Sequence, residues 1–157
     1  MSGFRRGVRL GIDVGRARVG VSRCDPDGML AVPVETVARG DSSIDRIAEL
    51  VDEYEPMELV VGLPVNMRGT DTASTTDARE FAAELAQRTG LAVRLVDERL
   101  STVTAHAALR SSGRTQKNSR SIVDQVAAVV LLQQAIDTEK STGNPPGATI
   151  SLDEESP

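Results

Sequence analysis

Between residues 7 and 37 the chain passes through three short apolar runs: GVRLGIDV (7–14), ARVGVSRCD (17–25) and MLAVPVETV (29–37). Gly15 breaks the first from the second, and the turn DPDG leads into the third. Runs of this length separated by turn residues read as an antiparallel meander of three strands. The pattern then changes. SSIDRIAELVDEYEP puts Ile44, Ile47, Ala48, Leu50 and Val51 on one helical stripe behind a cap-like Ser42 or Ser43, and stops before Pro56. ELVVGLP (58–64) is a buried strand, a helix follows over about 71–89 with Gly90 as its stop, and LAVRLVDE (91–98) is another strand. Helices near 101–111 and 121–138 close the series. A meander followed by alternating strands and helices means a mixed α/β sheet with helices on its faces.

At 157 residues the chain suits one domain that buries roughly 70% of its unfolded surface. That domain is expected over residues 1–139, with residues 140–157 (KSTGNPPGATISLDEESP) as a disordered acidic tail. With no apolar stretch of about 18 residues and no secretory leader, the expectation is a cytoplasmic protein with no membrane partner. The single cysteine, Cys24, cannot form an internal disulfide and reads as a small hydrophobe.

Net charge is −5, which argues against indiscriminate coating of nucleic acid. The charges are nevertheless segregated. From Arg99 to Val123 there is no acid, while Arg99, Arg110, Arg114, Lys117 and Arg120 are all basic. A local basic segment on an acidic body suits a partner bound at one place.

Acids also stand where apolar strands end, as polar groups can emerge there without being buried alone. Asp13 ends the first run, and Asp97 with Glu98 ends LAVRLVDE. If those strands are neighbours, their carboxylates meet, and they repel at a cost of several kcal/mol unless a cation lies between them. All-oxygen ligands point to Mg²⁺ or Mn²⁺. Asp97 and Glu98 face opposite sides, so only one joins Asp13, and alternation does not choose between them. Asp13 also suits a turn-forming acid beside Gly15. A third acid, Asp124, lies in the apolar helix SIVDQVAAVVLLQQAI and shares a stripe with Ala127, Ala128 and Leu131. Ser121 to Asp124 fits a capping pattern, so capping and metal binding compete for it.

Four segments, GIDVGRARVGVS, VVGLPVNMRGT, VDERLST and SIVDQVAAVVLL, resemble in order and spacing the YqgF (RuvX) family of RNase H-like nucleases. Members are described as Holliday junction resolvases and as pre-16S rRNA nucleases. The resemblance runs from about residue 8 to 138 and implies an RNase H-like five-stranded mixed sheet: a meander of three antiparallel strands plus two parallel strands, helices on both faces. It also implies a catalytic, metal-binding triad of Asp13, Glu98 and Asp124, choosing Glu98 over Asp97 and metal binding over capping at Asp124. The implied activity is metal-dependent hydrolysis of phosphodiesters in structured nucleic acid, an RNA precursor or a four-way DNA junction. Cutting a junction symmetrically needs two active sites, and hence a homodimer.

Beside the triad, Arg16 and Arg18 flank Asp13, and Asn66 and Arg68 occupy a polar loop at the same sheet edge. The glycine- and serine-rich segment 109–121, with Arg110, Arg114, Lys117 and Arg120, reads as a flexible arm for phosphates. Gly11 and Gly15 serve either the approach of a phosphate or turn geometry. Met29, Met57 and Met67 need only packing roles. Phe4, Tyr54 and Phe81 are the only aromatics, which leaves no platform for stacking splayed bases. Two other classes stay open: a non-catalytic RNase H-like binding module, and an actin-like ATP-binding domain, whose first phosphate loop GIDVGRARVGVS also resembles.

Overall fold

The computed structural model describes residues 4–64, 72–97 and 116–150, with side chains described from residue 125 onward in the last stretch. The strands are β1 (Arg9–Val14), β2 (Arg18–Cys24), β3 (Ala31–Ala38), β4 (Glu58–Leu63), β5 (Val93–Asp97) and β6 (Ala148–Ile150). The helices are α1 (Ser43–Tyr54), α2 (Ala73–Thr89) and α3 (Gln116–Thr142). One sheet holds all six strands in the order β3-β2-β1-β4-β5-β6. β1, β2 and β3 pair antiparallel, β1–β4 and β4–β5 pair parallel, and β6 returns antiparallel along β5. The mixed sheet and its meander are as the sequence implies.

Two details differ. The sheet has six strands, not five, because Ala148–Ile150 pairs with β5. The helix expected over 121–138 spans Gln116–Thr142, so this helix and β6 both reach into the stretch expected as a tail. The helix expected near 101–111 lies outside the described residues.

Strand alternation divides the core in two. On one face Leu10, Ile12 and Val14 join Val19, Val21, Leu59, Val61, Val93 and Leu95 beneath α1 and α2, sealed by Ile47, Leu50, Phe81 and Leu85. On the other, Val60 and Cys24 meet Leu131, Leu132, Ala135 and Ile136 of α3.

The lower end of the α3 face holds an ion network. Arg9 and Glu58 are register partners at the start of β1 and β4, and both are buried with Glu139 of α3. Arg5 donates to both Glu58 oxygens (3.1 and 2.9 Å), Arg94 donates to Glu58 (3.0 Å), and Arg9 donates to Glu139 (3.1 Å). Burial alone pushes the Glu139 carboxyl up, but hydrogen bonds from the Arg5 side chain and backbone, with the nearby Arg9 charge, outweigh it and hold it below the ordinary 4.5. A carboxyl depressed in the folded state stabilises fully above its unfolded value and loses that contribution as pH falls through the folded one. Stability to heat should therefore hold down to about pH 4.5 and decline below it. In a pH series of thermal melts the Glu139→Gln variant, which cannot titrate there, should show a shallower decline. An identical acid slope would show that Glu139 contributes nothing to it.

Candidate metal centre on the α3 face

Asp13 is half-buried near the end of β1, on the face that α3 covers. Its partner on β2 is Gly20, and Gly20 pairs in turn with Thr36 of β3. On the other side, Gly62 of β4 is one step beyond the Ile12–Val61 pair, in line with Asp13. Glycines on both neighbouring strands leave the carboxylate without flanking side chains across the sheet.

α3 crosses this face antiparallel to β1. Glu139 meets Arg9, Ala128 and Leu132 lie over Gly11, and Gln125 reaches the Asp13 row, where its amide donates to the Thr36 hydroxyl at 2.8 Å. The approach is closest at Gly11. A Cβ there would stand 2.4 Å from Ser22 Oγ, 2.9 Å from the Ala128 carbonyl oxygen and 2.9 Å from Leu132 Cβ. The Ser22 hydroxyl, opposite Gly11, donates to that same carbonyl at 2.7 Å. The space beside Gly11 is thus filled by the helix, not kept for a phosphate. Residue 124 precedes Ala128 by four helical residues, about 6.0 Å along the helix, and Asp13 follows Gly11 by two strand residues, about 6.6 Å. Those rises match, so residue 124 reaches the level of Asp13 on the same face.

Asp124 is also more than two turns inside α3, not in a first turn beginning at Ser121. A capping role at the start of this helix is therefore excluded for it. Asp97, the last residue of β5, is in step with Val93 and Leu95, which face the α1/α2 core, and out of step with Val96, which packs against the α3 cluster, yet it also borders a small cavity lined by Leu131, Gln134 and Ala135 of α3. Glu98 lies outside the described residues. Among the described residues no three His, Cys, Asp or Glu side chains come together. Cys24 is on the α3 face but at the far end, where the Arg9 N–H donates to its sulfur (3.4 Å). Burial pushes this thiol up and keeps it protonated. What is described of the donor set, a carboxylate in a glycine-flanked row, fits a hard divalent cation.

Of the expected nucleic-acid contacts, Arg16 is exposed and Arg18 half-buried in the β1–β2 hairpin. The turn is tight: Gly15 N–H donates to Arg18 O at 2.9 Å, and a Cβ on Gly15 would lie 2.7 Å from that oxygen. Lys117 and Arg120 are on helix α3, not on a flexible arm. Asn66, Arg68, Arg110 and Arg114 lie outside the described residues.

A brace beside the site has no counterpart in the sequence motifs. Arg39, just past β3, donates to Gly15 O (2.8 Å) and to both oxygens of Asp77 in α2 (2.8 and 3.0 Å), and its guanidinium lies over the Phe81 ring at 5.0 Å. The Arg39 hydrogen bond, then the charges of Arg39 and Arg16, hold the Asp77 carboxyl below its ordinary range. Thr72 and Thr75 form a capping box at the start of α2, and the Thr75 hydroxyl donates to Pro64 O. The hairpin beside Asp13, the end of β4 and the start of α2 are thereby tied together.

The three aromatics are each engaged by a cation: Phe4 by Arg9 and Lys140, Tyr54 by Arg23, and Phe81 by Arg39. None is left as a base-stacking platform. Met29 is not a packing residue, because it is 72% exposed beside exposed Leu30. No described helix is long and apolar enough to cross a membrane.

Comparison with solved structures finds Thermus thermophilus RuvC. The chain in complex with a Holliday junction substrate is 18% identical with a TM-score of 0.56, covering 88% of this chain and 99% of that one. A second RuvC structure from the same organism gives a TM-score of 0.53 at 18% identity. This likeness shows the fold, which is RNase H-like. Among curated proteins, one from Leifsonia xyli named "Putative pre-16S rRNA nuclease" is 57% identical over 149 residues, covering 94% of this chain and 96% of its own length. Relatives of the same name from Clavibacter sepedonicus (94% of this chain, 93% of its own length) and Streptomyces coelicolor (95% and 91%) are 53% and 51% identical. A family model described as "RuvX: Holliday junction resolvase" matches residues 7–138. With that match across most of its length, and relatives about half identical end to end, this chain belongs to the RuvX family.

Proposed function

We propose that this chain is a metal-dependent endonuclease that hydrolyses phosphodiesters of structured nucleic acid, with Asp13, Glu98 and Asp124 as its catalytic metal ligands. Family membership and the names of its relatives support a nuclease role in rRNA processing or junction resolution. The observation that carries the assignment to residues is the antiparallel run of α3 over β1, which brings residue 124 to the level of Asp13.

Two Mg²⁺ or Mn²⁺ ions held there would supply a water of lowered pKa and positive charge for the leaving oxygen of an in-line attack. Asp13, Glu98 and Asp124 would hold the ions. Arg16 and Arg18 hold phosphates from the hairpin, as do Asn66 and Arg68 from the segment that follows β4 in the sequence. Arg110, Arg114, Lys117 and Arg120 lead the backbone toward Asp124. With no free aromatic platform, recognition goes by backbone shape rather than base stacking. On a four-way junction two such sites are needed, and so two copies of the chain.

The test is cleavage by pure protein, with Mg²⁺ or Mn²⁺, of a four-way DNA junction and of an RNA carrying the pre-16S 5′ end, side by side. Cutting of either supports the proposal and identifies the substrate. Binding without cutting of both would overturn it in favour of a binding module. Charge reversal at Arg114 and Lys117 should weaken binding and reduce the slope of log affinity against log salt by about 1 per residue. An unchanged slope would remove these residues from the interface.

A further inference from the structure

We propose that Thr36 and Gln125 form a positioning pair that sets residue 124 of α3 against Asp13, an inference that rests on the metal centre proposed above. Farther along α3, Leu131, Leu132 and Ile136 are buried against the sheet, but next to Gln125 the buried residues are the small Ala127 and Ala128. Small side chains let this end of the helix lie close with few interlocking contacts. Directional bonds add resistance to sliding and rotation there. Ser22 to the Ala128 carbonyl fixes the helix over Gly11, and the Gln133 side-chain oxygen, accepting from Ala31 N–H at 2.9 Å, holds it farther along. The bond nearest the metal centre is Gln125 to Thr36 at 2.8 Å.

Its placement is specific. Thr36 is in register with Gly20, and Gly20 with Asp13, so the hydroxyl belongs to the same cross-strand row as the carboxylate, two strands away. Gln125 directly follows residue 124. A tether from that row to that residue fixes both the height of residue 124 along β1 and the rotation of α3 about its axis, on which its distance to Asp13 depends. Neither Thr36 nor Gln125 need touch metal or substrate. They act through Asp124, as partners that orient metal ligands do, where loss typically weakens metal affinity 10–100-fold.

The experiment is a calorimetric titration of the full chain with Mn²⁺, without nucleic acid, alongside thermal melts. Thr36→Val, which keeps the shape and removes the hydroxyl, should raise the Mn²⁺ Kd about tenfold at a temperature where the variant is fully folded. Thr36→Ser should restore it to near wild type. Gln125→Met removes the same bond from the helix side and should match Thr36→Val. The double variant should be no weaker than Thr36→Val, because the bond that Gln125→Met removes is already lost there. Wild-type affinity in both single variants would overturn the proposal, since a merely structural role lowers the melting temperature without moving Kd. Failure of Thr36→Ser to rescue would also overturn it. If the wild-type chain itself binds no Mn²⁺, the metal centre falls and takes this inference with it, a result distinct from metal binding that ignores Thr36.

Discussion

Replacing Asp13 by Asn should lower metal-dependent cleavage by about a thousandfold or more while moving the melting temperature by only a few degrees. Asn has nearly the same shape and keeps a carbonyl acceptor, so it can serve a turn as Asp does, but it lacks the charge that holds a cation. Loss of several kcal/mol of transition-state stabilisation corresponds to this factor. The substitution also separates the two roles the sequence leaves open for Asp13. A turn former would tolerate Asn with activity intact, while a metal ligand would not. Full cleavage by a pure Asp13→Asn sample would remove Asp13 from the catalytic set.

The largest expected loss of stability comes from the other end of β1. Truncating Glu139 to Ala leaves the buried Arg9 guanidinium with only its longer contact to Glu58 (3.7 Å) and takes three hydrogen bonds from Arg5. Breaking a buried ion pair from one side costs about 3–5 kcal/mol. For a domain of this size that is a drop in melting temperature of about 10 °C. Replacing Arg9 and Glu139 together by apolar residues of similar volume should recover part of it, because the under-compensated Arg9 charge is then gone while Glu58 keeps Arg5 and Arg94. A shift below about 2 °C for Glu139→Ala would mean that water reaches the site and screens the pair.

How far the sequence announces these features depends on the range of the interactions involved. Strands β1 to β5 are legible because their apolar runs are bounded by Gly, Pro and Asp, and α1 because its stripe has one clear face. β6 is not, since Ala148–Ile150 is three residues in a polar context and becomes a strand only through β5. The start of α3 is missed because QKNSRS carries no apolar period, and that error puts Asp124 in a first turn where capping competes with metal binding. Asp13 stands out as an acid ending an apolar run, but its glycine-flanked row needs the register of β2 and β4. Arg9 with Glu139, and Arg39 with Asp77, join residues far apart in the chain that no local pattern links. The motif resemblance gave the triad as a set, which residue spacing alone left divided between Asp97 and Glu98. The alternation of Asp97 with Val96 supports the choice of Glu98.

The outermost strands also bear on how two copies could assemble. β3 carries Pro33, which has no N–H to offer a neighbour, and its pairing with β2 shifts register between Val21 and Ser22. At the opposite margin, described β6 is three residues long. Among the described residues neither border offers the long, regular ladder that a strand from another molecule would need. A pair of copies acting together on a junction would therefore have to meet through helices and loops, which leaves each sheet a closed unit and the two cutting centres free to be spaced by the nucleic acid between them.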